Sequence, residues 1–336
     1  YVGALRDSQH LHRQDGRVVP NGRLEFIAPM PRLHDDGAAW VAELRRLEDL
    51  GFDTVTVSHH LTNGWQLAPI PAMAFAAAST TRLRVQSLVV QNPLQHPALL
   101  AKDIATIDRL SGGRVELGLG AGWLARDYAA LGVPFESTPT RIAQLAEAIT
   151  IIRDYFTTET VDFAGRYYHV DNLEALPRCV QQPNPPILIG AGGPRMLDLA
   201  GRCADIVGVQ ARMMHGSIDD DAVADLSAIA LQAKITRIRD AADGAGRATP
   251  RLQFSVPYLH VTDSDAPPRQ STWTKAVVAN LDTLAGSPAV LMGTAAECAE
   301  KVLEHSRRFG ISYWHLGQDT EAAARIIALL RQGGVG

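Results

Sequence analysis

From Arg23 onward, short β-branched apolar runs alternate with longer stretches whose apolar positions recur at helical spacing. "RLEFIAPM" reads as a strand. In "DDGAAWVAELRRLEDLGF" Trp40, Leu44, Leu47 and Leu50 fall near i, i+4 and i+7, and Gly51 ends the helix. The strand "DTVTVS", the proline-opened helix "PIPAMAFAAAS" and the strand "RLRVQSLVV" follow. "HPALLAKDIATIDRLSGG" is a helix stopped by paired glycines, and "RVELGLG" is the fourth strand. The loop after it is expected to run through "RDYAALGVPFESTPTR" before the helix "TRIAQLAEAITIIRDYF". A Tyr- and Pro-rich excursion, Thr157 to Pro186, interrupts the rhythm. It resumes with "PILIGAGG", "PRMLDLAGRCA", "DIVGVQ", "AVADLSAIALQAKITRIRDAA" and "RLQFSVPYLHVT". A helical pair, Gln270 to Ala285 and Thr294 to Phe309, precedes "ISYWHLG" and "TEAAARIIALLRQGG". The pattern gives eight strand–helix units, the number that closes a (β/α)8 TIM barrel.

Nothing in the 336 residues divides this series with a linker, so residues 23–336 are expected to form one barrel domain. Tyr1 to Gly22 is polar, has no apolar core of a secretory leader, and is expected to be an arm outside the fold. A net charge of −4 gives no basic surface for nucleic acid, and no apolar run approaches the ~20 residues of a membrane helix. Three scattered cysteines, Cys179, Cys203 and Cys298, argue against a disulfide framework and for a reducing, cytoplasmic setting.

In a barrel, chemistry sits where strands end. "GAGWLA", Gly120 to Ala125, formally fits a dinucleotide fingerprint. That motif should open the first βα unit, and here three units precede it. Gly118, Gly120 and Gly122 are read instead as letting the chain turn sharply at a strand end, where bare N–H groups can meet a ligand. "VSHHLTNGW" places His59 and His60 just past the second strand. Adjacent histidines point apart and chelate poorly. They are either a buried and a solvated pair, or functional by virtue of the strand end. "GAGGPRML" ends a strand in two glycines and starts a helix at Pro194, a natural phosphate cradle with Arg195 beside it. His10-x-His12 lies in the polar arm rather than at the end of a solid strand, so no metal site is assigned.

Three stretches, "GFDTVTVSHHL", "QHPALLAKDIATIDRLSGGRVELGLGAGW" and "PPILIGAGGPRMLDLAGRCADIVGV", resemble the luciferase-like monooxygenase superfamily, within it the deazaflavin (coenzyme F420)-dependent oxidoreductases. The likeness runs from Arg23 to Gln332. It implies a TIM barrel with an insertion after the fourth helix, which the Thr157 to Pro186 excursion suits. It also implies a bulge with a non-prolyl cis peptide under the cofactor ring, matched to the Ser87–Leu88 bond. His60 matches a histidine beside the reactive ring carbon and is the expected catalytic residue.

The implied cofactor contacts are His59, Ser87, Leu88, Val89, Gln91, Gly120, Ala121, Gly122, Ala191, Gly192, Gly193, Pro194, Arg195 and Gln210. Trp65, Trp123 and His315 are expected to line a substrate pocket. Two departures stand out. Sugar-phosphate dehydrogenases of this family carry Asp where this chain has His59, and an acid where it has Trp123. The expected function is hydride transfer between F420 and a small organic substrate, in a homodimer. The alternatives are an FMN-dependent monooxygenase fed by a separate reductase, and a non-catalytic flavin-binding relative.

Overall fold

The computed structural model describes residues 23–33, 36–62, 64–213, 216–264, 267–268 and 271–333. The expected arm, with His10 and His12, lies outside the described residues. Eight parallel strands form a closed ring: β1 (Glu25–Pro29), β2 (Thr54–Val57), β3 (Arg84–Ser87), β4 (Val115–Gly120), β5 (Ile187–Ala191), β6 (Ile206–Val209), β7 (Arg251–Ser255) and β8 (Ile311–His315). Closure is direct, since Glu25 of β1 registers with Tyr313 of β8. β2, β4 and β6 are buried along their whole length, as expected of strands covered on both faces.

Helices form the outer layer: α1 (Gly37–Asp49), α2 (Pro69–Ser79), α3 (Pro97–Ser111), α4 (Ala125–Leu131), α5 (Thr138–Thr157), α6 (Pro194–Cys203), α7 (Asp220–Ala224), α8 (Ala228–Gly244), α9 (Thr272–Val278), α10 (Ala295–Phe309) and α11 (Thr320–Gln332). Local signals set their ends. Asp36 and Asp219 cap α1 and α7, and Thr294 with Glu297 closes a capping box on α10. Gly112, at φ 69°, ends α3 in the left-handed conformation.

The structure departs from the sequence reading at four places. The seventh apolar run breaks at Pro257. Arg251–Ser255 stays in the barrel, while Tyr258–Val261 pairs with Val290–Gly293 outside it, because proline cannot donate to a ladder. The single helix expected over residues 222–242 is α7 and α8, divided where Ser227 caps the second. The first member of the expected helical pair is only α9 followed by a 3-10 turn, Leu281–Leu284. The loop after β4 contains a helix, α4.

The excursion after α5 is a hairpin, Thr160–Ala164 with His169–Glu174. Its tip is tied to α5, where Glu147 accepts the N–H groups of Arg166, Tyr167 and Tyr168.

The lower interior of the barrel is filled by a polar network rather than by oil. Glu116 is buried among Gln86, whose Nε2 donates to it at 2.7 Å, and Tyr313, whose hydroxyl donates at 2.8 Å. Burial pushes the Glu116 carboxyl up, against the pull of Arg84 and Arg251. Glu25 bridges the same two arginines. This network seals the bottom and leaves the opposite end, where the strands finish, for chemistry.

Candidate active site

The third strand ends in a bulge. The peptide bond between Leu88 and Val89 is cis. The resemblance placed that bond one residue earlier. Leu88 N–H still donates to the Val57 carbonyl at 2.8 Å, so the ladder holds the chain extended through Leu88 and the departure comes after it. Leu88 and Val89 pack on Ile27, Leu188, Ile206 and Tyr313 in the barrel interior.

Two glycines of β4 make room for this bulge. A Cβ on Gly118 would lie 1.8 Å from the Ser87 carbonyl oxygen, and one on Gly120 would lie 2.6 Å from Val89 Cγ2. A Cβ on Gly190 would lie 3.3 Å from Val89, and one on Gly208 would lie at ordinary contact distance, 3.7 Å, from Leu88. The alternating glycines of β4 therefore answer first to the protein's own bulge, not to a ligand. Ser87 belongs to the same wall: its hydroxyl donates to Gly118 O and accepts from Gly118 N, both at 2.9 Å.

Beyond the bulge, Gln91 ties two histidines to a buried acid. Asp127, in the first turn of α4, has a side chain that is 0% exposed. His60 Nδ1 lies 2.7 Å from Asp127 Oδ2, and Gln91 Nε2 donates to the same oxygen at 3.0 Å. The other oxygen accepts from Leu61 N, Thr62 N and Thr62 Oγ1 at 3.3, 3.1 and 2.6 Å. Burial alone would raise the Asp127 carboxyl. The donated bonds, led by Thr62, His60 and Gln91, outweigh it and hold the group at about 2. His59 faces the other way. Gln91 N–H donates to its Nδ1 at 3.3 Å and Gln91 Nε2 to its carbonyl at 2.6 Å. Burial, then the neighbouring His60, pulls the His59 imidazole down.

Two indoles flank His60, Trp65 at 4.7 Å between ring centroids and Trp123 edge-on at 5.6 Å. The glycine loop is held from beneath by Arg141 of α5. Its Nε donates to Ala121 O at 3.1 Å and its Nη2 to Gly122 O at 3.3 Å. Gly122 has φ 80°, and a Cβ there would meet the Tyr128 hydroxyl at 2.0 Å. Tyr128 is buried, which pushes its phenol up to about 12.

The stretch expected to cradle a phosphate is the start of α6. Gly193 caps α6 without a side-chain hydrogen bond, and Pro194 at N1 has no N–H. The amides of Arg195 and Met196, at N2 and N3, have no acceptor within the helix. Gly192 is compulsory, because a Cβ there would meet Ala211 O at 2.4 Å. Gln210 continues β6 by donating its N–H to Ala191 O at 2.9 Å, and buried Lys234 grips its carbonyl at 2.7 Å. The Gln210 amide nitrogen lies 3.5 Å from the point a Cβ on Gly190 would occupy, above the bulge. An open groove of about 590 Å³, lined by Ile229, Gln232, Arg237 and Arg308, lies on the outer face of α8 and includes none of these groups.

The model of the luciferase-like monooxygenase family matches residues 27–313. This chain belongs to that family. It is 35% identical over 169 residues to an F420-dependent glucose-6-phosphate dehydrogenase of Amycolatopsis mediterranei, covering 48% of this chain and 49% of that one. The chain thus spans about half the length of the dehydrogenases it matches. It is 28% identical over 287 residues to the 5,10-methylenetetrahydromethanopterin reductase of Methanopyrus kandleri, covering 81% of this chain and 76% of that one. The crystal structure of monooxygenase RslO1 from Streptomyces bottropensis has the same fold, with a TM-score of 0.71 at 24% identity over 92% of this chain and 98% of that one.

His59, His60, Gln91, Trp65 and Trp123 form one contact cluster. Val89 and Gln210 both approach Gly190, and Leu88 approaches Gly208. Ala191, Gly192, Gly193, Pro194 and Arg195 follow β5 into α6. His315 ends β8 but is buried, its Nδ1 accepting Gly317 N–H at 3.2 Å, and burial brings it down to about 4. Asp127 and Arg141 were absent from the sequence reading. The signal for Asp127 was an acid one turn beyond Trp123, hidden by reading that stretch as loop.

Proposed function

We propose that this protein is a deazaflavin-dependent oxidoreductase that moves hydride between coenzyme F420 and a small organic alcohol or carbonyl. The observation that carries the reading is His60, fixed by buried Asp127 and flanked by two indoles, at the mouth that holds the bulge. The F420-dependent dehydrogenases and the reductase of similar sequence support the cofactor.

The residues present fit such a cofactor. The uncapped first turn of α6, with Arg195, would take its phosphate. Leu88 and Val89 would support one face of the ring system, and Gln210 would flank it. When bound, the deazaflavin supplies a carbon centre that accepts or donates hydride. His60 exchanges the accompanying proton with the substrate oxygen, and Asp127 holds the imidazole in place for it. Trp65 and Trp123 exclude water and favour a partly apolar substrate. No anchor at the family's two acidic positions, here His59 and Trp123, favours a sugar phosphate.

The reading extends to the whole molecule: residues 23–336 act as one barrel domain in a reducing cytoplasm, where the three unpaired cysteines stay reduced. No helix among the described residues is long and apolar enough to cross a membrane. The functional unit is a homodimer. Leu99 and Leu110 lie three turns apart on one face of α3, 66% and 83% exposed, and Phe75 of α2, the helix packed on α3, is also exposed.

Turnover under strict exclusion of oxygen tests the reaction. F420 and a panel of apolar alcohols and ketones should suffice without a reductase. Strict dependence on oxygen and a flavin reductase would instead make the protein an FMN-dependent monooxygenase. Absence of any turnover with cofactor bound would make it a binding relative.

A further inference from the structure

We propose that the adjacent histidines are locked in opposite tautomers, so that His60 keeps a bare Nε2 while His59 keeps its hydrogen on Nε2. Only the catalytic consequence rests on the oxidoreductase reading above. The tautomers follow from hydrogen-bond direction.

Asp127 receives four donors besides His60: Leu61 N, Thr62 N, Thr62 Oγ1 and Gln91 Nε2. A carboxylate so placed is ionised and carries no hydrogen of its own. The hydrogen in its 2.7 Å contact with His60 must therefore sit on His60 Nδ1. In the neutral ring, Nε2 is then the basic nitrogen. At His59 the partner is a backbone amide, Gln91 N–H, 3.3 Å from Nδ1. An amide nitrogen can only donate, so His59 Nδ1 is the lone pair and the ring hydrogen is on Nε2.

Gln91 sets both. Its main chain fixes His59, and its side chain reaches Asp127 at 3.0 Å and the His59 carbonyl at 2.6 Å. The residue sits two positions past the cis bond.

The consequence is a division of roles between neighbours that look equivalent in sequence. In alcohol oxidation His60 Nε2 would take the hydroxyl proton as the C=O bond forms, and the deazaflavin that the site would hold supplies the acceptor for the hydride. Carbonyl reduction returns both. His59, with a donor and no second basic nitrogen, offers a hydrogen bond and takes no proton. Asp127 is the positioning residue for His60, and Gln91 is the positioning residue for His59.

The test is long-range proton–nitrogen correlation NMR on the cofactor-free protein labelled with [15N]histidine, at neutral pH. His59→Gln and His60→Gln assign the two rings by loss of their signals. The expected result is a protonated Nδ1 and bare Nε2 for His60, and the reverse for His59. Asp127→Asn, which puts an NH2 or a neutral oxygen where the carboxylate was, should move His60 toward the Nε2–H form and leave His59 unchanged. The same substitution should lower turnover about 10²-fold or more with cofactor Kd little changed. A His60 ring with its hydrogen on Nε2 in the unsubstituted protein, or both rings in one tautomer, overturns the proposal. The unsubstituted spectra decide even if Asp127→Asn fails to fold. Because no cofactor is present, failure of F420 to bind would sink the oxidoreductase reading and leave this one standing.

Discussion

The carbonyl oxygen of Ser87 lies 1.8 Å from where a Cβ on Gly118 would stand. Backbone cannot swing aside as a side chain can. Gly118→Ala should therefore cost well above the ~1–3 kcal/mol usual for overpacking. Gly120→Ala meets only Val89 Cγ2, at 2.6 Å, and should cost about 1–2 kcal/mol. Urea unfolding midpoints of the two variants check the order. Equal and small losses would mean the bulge does not need the notch.

The barrel was legible in the sequence because strand-like and helix-like apolar patterns alternate from Glu25 to Gln332, interrupted mainly by the Thr157 to Pro186 excursion. The eight strands that close are the eight read from the chain. His60, Gln91, Trp65 and Trp123 were also named from the sequence, and the structure brings them together around Asp127. Asp127 was not, because its function depends on a distance to His60 across 67 positions, and such a distance has no local signature. Arg141 escaped for the same reason, since its partners are carbonyls 19 and 20 positions away. The glycines of β4 were read as ligand-facing because sequence cannot show that the nearest atoms belong to Ser87 and to Val89 of the bulge.

His60→Ala should lower turnover by about 10²–10⁴-fold, the usual worth of a general acid–base group, with cofactor Kd nearly unchanged. His59→Ala should lower it less. Steady-state kinetics beside a cofactor titration separate the two effects. An unaltered turnover number for His60→Ala would make His60 structural.

His315 gives the protein an acid-sensitive element. Its pKa falls from 6.5 to about 4 on folding, so the unfolded chain binds the proton more readily. The stability it contributes is complete above pH 6.5 and is lost as pH falls toward 4, by up to about 3 kcal/mol. His315→Gln keeps an acceptor for Gly317 N–H and removes the titration. Urea unfolding at pH 7 and pH 4.5 should show a smaller acid loss in that variant than in the parent. Equal losses would assign the acid sensitivity elsewhere.

The proposed dimer surface is tested by charge. Phe75→Asp with Leu99→Asp places two carboxylates on the exposed faces of α2 and α3. Light scattering should show a dimer for the parent and a monomer for the double variant, with the same far-ultraviolet circular dichroism. A monomeric parent at working concentration contradicts this assembly.

The most direct test of the central claim is cofactor choice. Oxidised F420 and oxidised FMN are titrated separately into the cofactor-free protein, and binding is followed by fluorescence. The account predicts saturable, tight binding of the deazaflavin, weakened by Arg195→Ala and little altered by His60→Ala. Tight binding of FMN with no measurable binding of F420 would contradict it.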